Sequence, residues 1–562
     1  MAPVLDATDR LRAARAVCNV RAIEARCEPA STEMGYQAPA TEDHVSEFLA
    51  DLPERTSDVV KPWVECSPDR PALVEANCAW TYKQLNSAVA ETQAWLLDSG
   101  VRPGDRVMIV CENCRALVAV ELALAGLDAW PVLVNARLSA REVDDIRDHC
   151  GARRVIYTTS VSPHATGHAN RHGAVIGEAS NLGTIGIGPL NEKVEPEPVD
   201  PVSANRVAAL IYTSGTTGHP KGVMLTHRNL LYVAAVSARI RTLAPEDRLY
   251  AILPISHAVG HSVVLLGTLL SGATLYLSPR FDPAAALKAL ERDMLTVVLG
   301  TPAMFALLVE YAKLKELESL NFPKLRIISS CGAMLQPALK SKVERLFGLV
   351  LHNGYGVTEC SPTIALTRVE EPRSDTSVGR VFPGVKVRLV GSDCQPVAEG
   401  EVGELWVTGP TVMKGYYRAP RETAAAIDPE GWFNTRDLAR WKDGNLFIVG
   451  RTKELIVRFG FNVYPAEVEA VLNAHPGVVR SAVIGRPVQA AEGDEEVVAF
   501  VQLLPDSSLK IHELAEHAKK HLAPYKRPSR ILLVSTMPLT PTGKIVKNEL
   551  AEKHRPLADE HP

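Results

Sequence analysis

From Trp80 onward, segments with apolar residues three and four apart, such as TYKQLNSAVAETQAWLLDSG and RALVAVELALAGLDA, alternate with short apolar runs, RVMIVC, WPVLVN and RVIYTT. Helical spacing alternating with strand-length runs predicts α/β units around a largely parallel sheet. A polar, glycine-rich link is expected from about 160 to 201, and the alternation resumes through LYAILPI, ATLYL, LTVVLGT, LRIISSCG and GLVLHNGYG. Near Val378 the texture changes to shorter β-like runs, VKVRLVG, GELWVTG and, after a DG turn, NLFIVGR, which predict a small β-rich subdomain. Past Arg451, KELIVRFGFNVYPAEVEAVLN, VVAFVQLL, a basic helix and RILLV predict a compact α+β unit large enough to fold by itself. Before His44 apolar periodicity fades. The expected organisation is a weakly ordered arm (1–44), a large α/β domain (45–452) of parallel-sheet subdomains plus the β-rich one, and a small α+β domain (453–562).

Bulk properties narrow the class. At 562 residues several subdomains are needed. A formal net charge of −4 gives no global basic field for nucleic acid. The apolar stretch LPISHAVGHSVVLLGTLLSGATLYL is broken by Pro254, two histidines and several glycines, so no transmembrane segment is expected. Ten scattered cysteines make no disulfide framework and fit a reducing, cytoplasmic setting; the CxxC of Cys111 and Cys114 reads as incidental.

The stretch YTSGTTGHPKG, Tyr212 to Gly222, concentrates hydroxyls (Thr213, Ser214, Thr216, Thr217), glycines (Gly215, Gly218, Gly222) and Lys221 at a density no core requires. Hydroxyl donors, close backbone approach and a mobile cation make a phosphate grip. AALIY before it reads as a buried strand and GVMLTHRNLLYVAAV after it as a helix, so the loop is expected to join strand to helix. It differs from the common P-loop, in which Ser or Thr follows the lysine; here Gly222 does.

Four further clusters resist a packing explanation. NGYGVTE follows an apolar run, at the carboxyl end of an expected strand where α/β sheets bind ligands. Asn353 suits a base edge, Tyr355 an aromatic face, Thr358 a phosphate and Glu359 a Mg²⁺ ion; Gly354 and Gly356 shape the turn. Asp437 suits a ribose and Arg451 a ribose or phosphate. Lys544 stands in a Pro541-Thr542-Gly543 turn that fixes its approach, and His257, beyond an apolar strand, suits a wall of an acid pocket.

Taken together, YTSGTTGHPKG, NGYGVTE, a TxD aspartate, GRxKE and PTGK, in that order and over roughly residues 45 to 550, resemble the adenylate-forming superfamily of acyl-CoA synthetases, peptide adenylation domains and luciferases. The resemblance implies ATP, Mg²⁺ and coenzyme A, with a carboxylate first adenylated and the adenylate then attacked by a thiol. It assigns Thr213 to Lys221 to the β and γ phosphates, with Thr213 beside Glu359 at the metal, and Thr358 to the α-phosphate. Adenine falls to Asn353, Tyr355 and the Gly332-Ala333-Met334 strip, and ribose to Asp437 and Arg451. Lys544 then bridges the reacting anions, Lys453 is the hinge of a mobile small domain, and Gly460 reaches the pantetheine tunnel in the second step.

The same resemblance places His257, Val259, Val263, Gly300, Thr301, Met304, Cys360 and Ser361 around a mainly apolar pocket for a fatty or aromatic acid. Amino-acid-activating relatives carry an aspartate where this chain has Ala258, Val259 and Gly260. No carrier module follows residue 550, so the expected acceptor is free coenzyme A, with a ligase loading a separate carrier protein as the alternative and a luciferase-like oxygenase as a further one. A homodimer stands as the expectation for assembly. Two departures are local: the family's TGD is TRD, placing Arg436 where glycine is usual, and Phe459 replaces a smaller residue before Gly460.

Overall fold

The computed structural model describes residues 48–553, apart from 50, 77, 214–219, 459–460, 489–494, 506 and 541–542. The expected arm therefore lies outside the described residues. Two large sheets dominate, one of nine strands and one of eight. In the first, Leu351–Tyr355, Ile327–Ser330, Val297–Gly300, Arg248–Ala251, Thr274–Leu277 and Pro71–Glu75 run parallel in that order, with antiparallel strands at both edges. In the second, Val207–Thr213, Trp130–Asn135, Arg106–Cys111 and Arg154–Tyr157 form the parallel centre. Every residue of the Arg106–Cys111 and Trp130–Asn135 strands is buried, as expected for strands covered on both faces. One apolar core runs between the sheets, joining Leu73, Ile109, Ile211, Leu249, Val297 and Ile328. The carboxyl ends of both parallel sets deliver loops to a common rim, which positions the site.

A four-stranded antiparallel sheet follows, built from Lys386–Val390, Gly403–Thr408, Phe433–Lys442 and Asn445–Arg451. Its DG turn has Asp443 and Gly444 at φ 50° and 68°, the two positive angles that a tight hairpin of this hand demands. Beyond it lies a separate core of Ile456, Val463, Val468, Leu472, Val483, Val497 and Leu514. A hairpin, Ile456–Arg458 with Phe461–Val463, and a three-stranded sheet with helices Pro465–Asn473 and Ile511–His521 surround it. Among the described residues no helix is long and apolar enough to cross a membrane.

Two expectations need correction. The segment after the phosphate loop is first a strand: Lys221–Thr226 pairs antiparallel with Val207–Thr213, and the helix starts only at His227. Thr226 and Asn229 make a capping box that fixes that start, since the hydroxyl accepts from Asn229 N–H while Asn229 Oδ1 accepts from Thr226 N–H. The loop thus joins two antiparallel strands, and the helix starts five residues after Gly222. The expected link near 160–201 also carries structure: helix Pro163–Arg171, capped by Ser162, and the hairpin Val175–Ala179 with Gly183–Ile187 at the sheet edge. An edge strand with an exposed face, as at Val175, lacks the apolar alternation that would reveal it.

Candidate active site

The last two strands of the antiparallel sheet bring Asp437 and Arg451 into register as cross-strand partners. Arg451 Nε lies 3.1 Å from Asp437 Oδ1, and the Tyr355 phenol donates to Asp437 Oδ2 at 2.5 Å. Tyr355 ends the strand Leu351–Tyr355 of the nine-stranded sheet, so this contact ties two subdomains together. Burial pushes the Asp437 carboxyl up, while Arg451, the Tyr355 hydrogen bond and Lys544 pull it back. Lys544 thus belongs to the same charged group although it lies far along the chain, beyond the separate core of the small domain.

The turn carrying Lys544 is held from within: Thr540 N–H donates to Lys544 O at 2.8 Å, and Lys544 N–H donates to Thr540 Oγ1 at 3.0 Å. Gly543 has φ +82°, and a β-carbon there would stand 2.6 Å from that of Ala303 on the first turn of helix Pro302–Leu314. Only glycine lets this turn come so near. Lys544 keeps a solvent-exposed surface, yet the protein around its ammonium lowers its pKa to about 8, first by desolvation and then by the Arg451 charge, against opposition from Glu454 and Asp437.

Glu359 lies on the short turn Thr358–Cys360. The Tyr416 phenol donates to its Oε1 at 2.9 Å, and burial pushes the carboxyl up. Lys221, at the start of the strand after the phosphate loop, holds its ammonium 5.1 Å from the centre of the Tyr416 ring. Tyr416 therefore joins the loop's lysine to the acidic residue, a link that sequence reasoning missed; two adjacent tyrosines after Gly415 were the only signal. Thr213 is the register partner of Lys221, whereas Ser214, Gly215, Thr216, Thr217 and Gly218 lie outside the described residues, as does Gly460. Lys453 stands on a short turn, Thr452–Glu454, beside Glu454, which pairs with Lys547 at 3.0 Å.

Other expected site residues are placed differently. Asn353 is buried, and its amide N–H groups donate to the carbonyls of Thr376 and Ser377 at 3.1 and 3.2 Å, so its donors serve the fold, not a base edge. Gly356 is required by close packing: a β-carbon there would fall 1.4 Å from Pro362 O. Gly354 lies against Leu366, while Gly332, Ala333 and Met334 are exposed. The CxxC is structural: Cys111 ends a strand, and Cys114 Sγ accepts from Leu117 N–H at a helix start.

A cavity of about 170 Å³ beside Gly543 is lined on one side by Ile252, Phe281, Met304 and Leu307, and on the other by Glu112, Asn113, Asn135, Arg137 and Arg280. Of the eight residues expected around the acid, only Met304 lines it. Cys360 and Ser361 are fully buried, with the Ser361 hydroxyl donating to Thr411 O, and Thr301 caps its helix by accepting from Met304 N–H. Val263 is buried, Gly300 lies against Phe305, and Val259 is half-buried on an eight-residue π-helical segment. His257 Nε2 is buried without a partner; burial, assisted by the Arg137 charge, lowers the imidazole's pKa to about 4, so it is neutral at pH 7. The polar wall arises where strand ends meet: Arg280 Nε lies 2.9 Å from Glu112 Oε1, and Arg137 Nε lies 3.9 Å from the same atom.

Comparison with known proteins places this arrangement. A family model for AMP-binding enzymes matches residues 60–417, and a model for the C-terminal domain of AMP-binding enzymes matches residues 467–544. The chain belongs to the AMP-binding enzymes. It is 36% identical over 491 residues to a feruloyl-CoA synthase from an Amycolatopsis species, covering 87% of this chain and 96% of the relative. It is 30% identical to a 4-coumarate–CoA ligase from Pinus taeda, covering 86% and 92%. ATP-bound MatB from Rhodopseudomonas palustris superimposes with a TM-score of 0.78 at 27% identity, over 89% of this chain and 99% of that one. Apo MatB from the same organism superimposes with a TM-score of 0.70 at 26% identity. Membership carries AMP-forming ligation of a carboxylic acid to coenzyme A, driven by ATP.

Proposed function

We propose that this AMP-binding enzyme adenylates an aromatic carboxylic acid bearing hydrogen-bonding ring substituents and transfers the acyl group to coenzyme A. The observation that carries the reading is the convergence of Lys544, Asp437, Arg451, Tyr355 and Glu359, contributed by four separate stretches of chain. Asp437 accepts the ribose hydroxyls, Arg451 supports them, and the Gly332-Ala333-Met334 strip meets the adenine. Thr213 and Lys221 flank the phosphate loop, and Thr358 holds the α-phosphate. Lys544 lies between carboxylate and α-phosphate, where two anions must approach before the acyl–oxygen to phosphorus bond forms and pyrophosphate leaves.

The donor set fits Mg²⁺ held mainly by ATP. Among the described residues no cluster of three His, Cys, Asp or Glu side chains occurs, and Glu359 supplies one carboxylate, as suits an ion that takes its remaining oxygens from phosphates and water. When bound, Mg²⁺ offsets negative charge on the triphosphate. After adenylation, rotation about Lys453 removes Lys544 and admits the thiol; the separate core beyond Ile456 supports a small domain that moves as a unit, with 452/453 as its boundary.

Two expected results test this reading. First, with ATP, Mg²⁺ and coenzyme A, hydroxylated cinnamic acids release pyrophosphate faster than unsubstituted cinnamic or benzoic acids, and these faster than medium-chain fatty acids, because the cavity has one polar wall. A preference for fatty acids would overturn the substrate class, and turnover with no carboxylate the reaction. Second, kcat/KM for adenylation declines as pH rises through about 8, because the free enzyme loses the Lys544 proton there. Lys544→Arg, whose guanidinium stays charged, flattens that limb. A decline that survives in the arginine variant assigns it to another group.

A further inference from the structure

The polar wall of the cavity beside Gly543 is built from three strand ends. Glu112 follows the strand Arg106–Cys111, Arg137 follows Trp130–Asn135, and Arg280 follows Thr274–Leu277 of the other large sheet. A cavity of roughly 150 Å³ admits benzene, so about 170 Å³ has room for one ring with a substituent. Gly543, the residue before Lys544, lines the same cavity. An acid whose reacting carboxylate meets Lys544 can lay its ring here, with its far end toward the polar wall.

Most of that wall has no hydrogen bonds to spare. Asn113 donates to Ala251 O and Leu253 O, both at 2.9 Å, and its Oδ1 accepts from Ile255 N–H at 2.8 Å. Asn135 Oδ1 accepts from Arg137 N–H at 3.0 Å. Glu112 is buried, and its two oxygens accept from Arg280 Nε at 2.9 and 3.2 Å. Arg280 differs from these. Its side chain is 43% exposed, and among the described residues both of its hydrogen bonds leave from Nε, so its terminal nitrogens donate to no protein group. A guanidinium anchored at Nε by a buried carboxylate keeps four N–H groups in a fixed plane, which suits an oxyanion in charge and shape. Glu112 is the one acid among the described lining residues, against two arginines. The site is complete while Gly543 lines it, and the rotation that withdraws Lys544 for the thiol step withdraws Gly543 as well. The oxyanion that Arg280 awaits therefore belongs to the acid.

We infer that Arg280 is a specificity-determining residue that receives a second, distal carboxylate of an aromatic dicarboxylic acid, with Glu112 as its positioning partner. The inference rests on the acid-activating reading proposed above and names the ring substituent. The test is acid-dependent exchange of pyrophosphate into ATP, without coenzyme A, comparing para-carboxycinnamic acid with para-carbamoylcinnamic acid, a neutral amide of nearly the same shape. The unmodified protein is expected to favour the dicarboxylic acid by at least about tenfold in kcat/KM, the scale of a hydrogen bond to a charged group. Arg280→Gln abolishes that ratio, and Arg280→Lys, a point charge without the fork, keeps part of it. The ratio is the readout because uncovering the Glu112 charge can lower stability, which affects both acids alike. A ratio near one in the unmodified protein, or one that survives in Arg280→Gln, overturns this inference and leaves acid activation standing. A raised KM for coenzyme A in thioester formation from synthetic acyl-AMP, with the acid ratio unchanged, also overturns it and moves the oxyanion to a coenzyme A phosphate. No exchange with any carboxylate ends the acid-activating reading and this inference together.

Discussion

Lys544→Ala lowers acyl-adenylate formation by at least about a hundredfold, the scale for removing a charge that stabilises a transition state, while thioester formation from synthetic acyl-AMP and coenzyme A stays within a few-fold of the unmodified enzyme. The reason lies in where the turn holds the ammonium. Gly543 seats the turn against Ala303, Thr540 closes it from both sides, and the ammonium shares a field with Asp437, Arg451 and Glu454. A unit charge about 4 Å from an anion contributes roughly 4 kcal/mol at the effective dielectric of a protein surface. A hundredfold loss needs about 2.7 kcal/mol, so one such contact suffices. Pyrophosphate release reports the first step and single-turnover thioester formation the second. Equal loss in both would show that Lys544 supports the fold or the nucleotide generally, and would end its assignment to one half-reaction.

The parts legible in the sequence are those fixed by local pattern. Alternating apolar runs predicted the parallel centres of both large sheets, because strands buried on both faces must be apolar throughout. The DG turn predicted the hairpin that carries Asp437 and Arg451, and counting outward from Asp443 and Gly444 places those residues opposite one another once the irregularity between Leu438 and Ala439 is allowed for. Nothing local revealed that GVMLT is a strand, because its apolar residues fit either period and tertiary pairing with Val207–Thr213 decides the matter. The polar cavity wall was illegible for a stronger reason. Glu112 and Arg280 meet across 168 residues, and Asn113 is aligned by the carbonyl of Ala251, at the end of a strand of the other sheet, and by that of Leu253 just beyond it. Charged residues beside strand ends look like ordinary surface positions until the sheets are assembled. Asn353 taught the converse, since a polar residue in a conspicuous motif was aligned by backbone carbonyls and served the fold.

Glu359→Gln separates charge from shape at the phosphate end. Glutamine has nearly the same volume, and its side-chain oxygen can still accept from Tyr416, so the contact made at 2.9 Å persists and the melting temperature moves by no more than a few degrees. What is lost is one negative charge, which the fold keeps against the cost of burial that pushes this carboxyl up. Retaining such a group needs a compensating cation. Arg451 offsets part of the charge, Asp437 opposes it, and Lys221 is separated from it by the Tyr416 ring. A divalent ion arriving with ATP completes the balance. The half-saturating Mg²⁺ concentration for adenylation therefore rises at least about tenfold, since even outer contacts to metal ligands carry 10- to 100-fold in affinity, and the adenylation rate falls by about two orders of magnitude at fixed Mg²⁺. The thioester step from preformed acyl-AMP, which involves no triphosphate, is spared. An unchanged Mg²⁺ titration with lowered activity would make Glu359 a partner of Tyr416 alone, and the metal would then need ligands from ATP without help from this carboxylate.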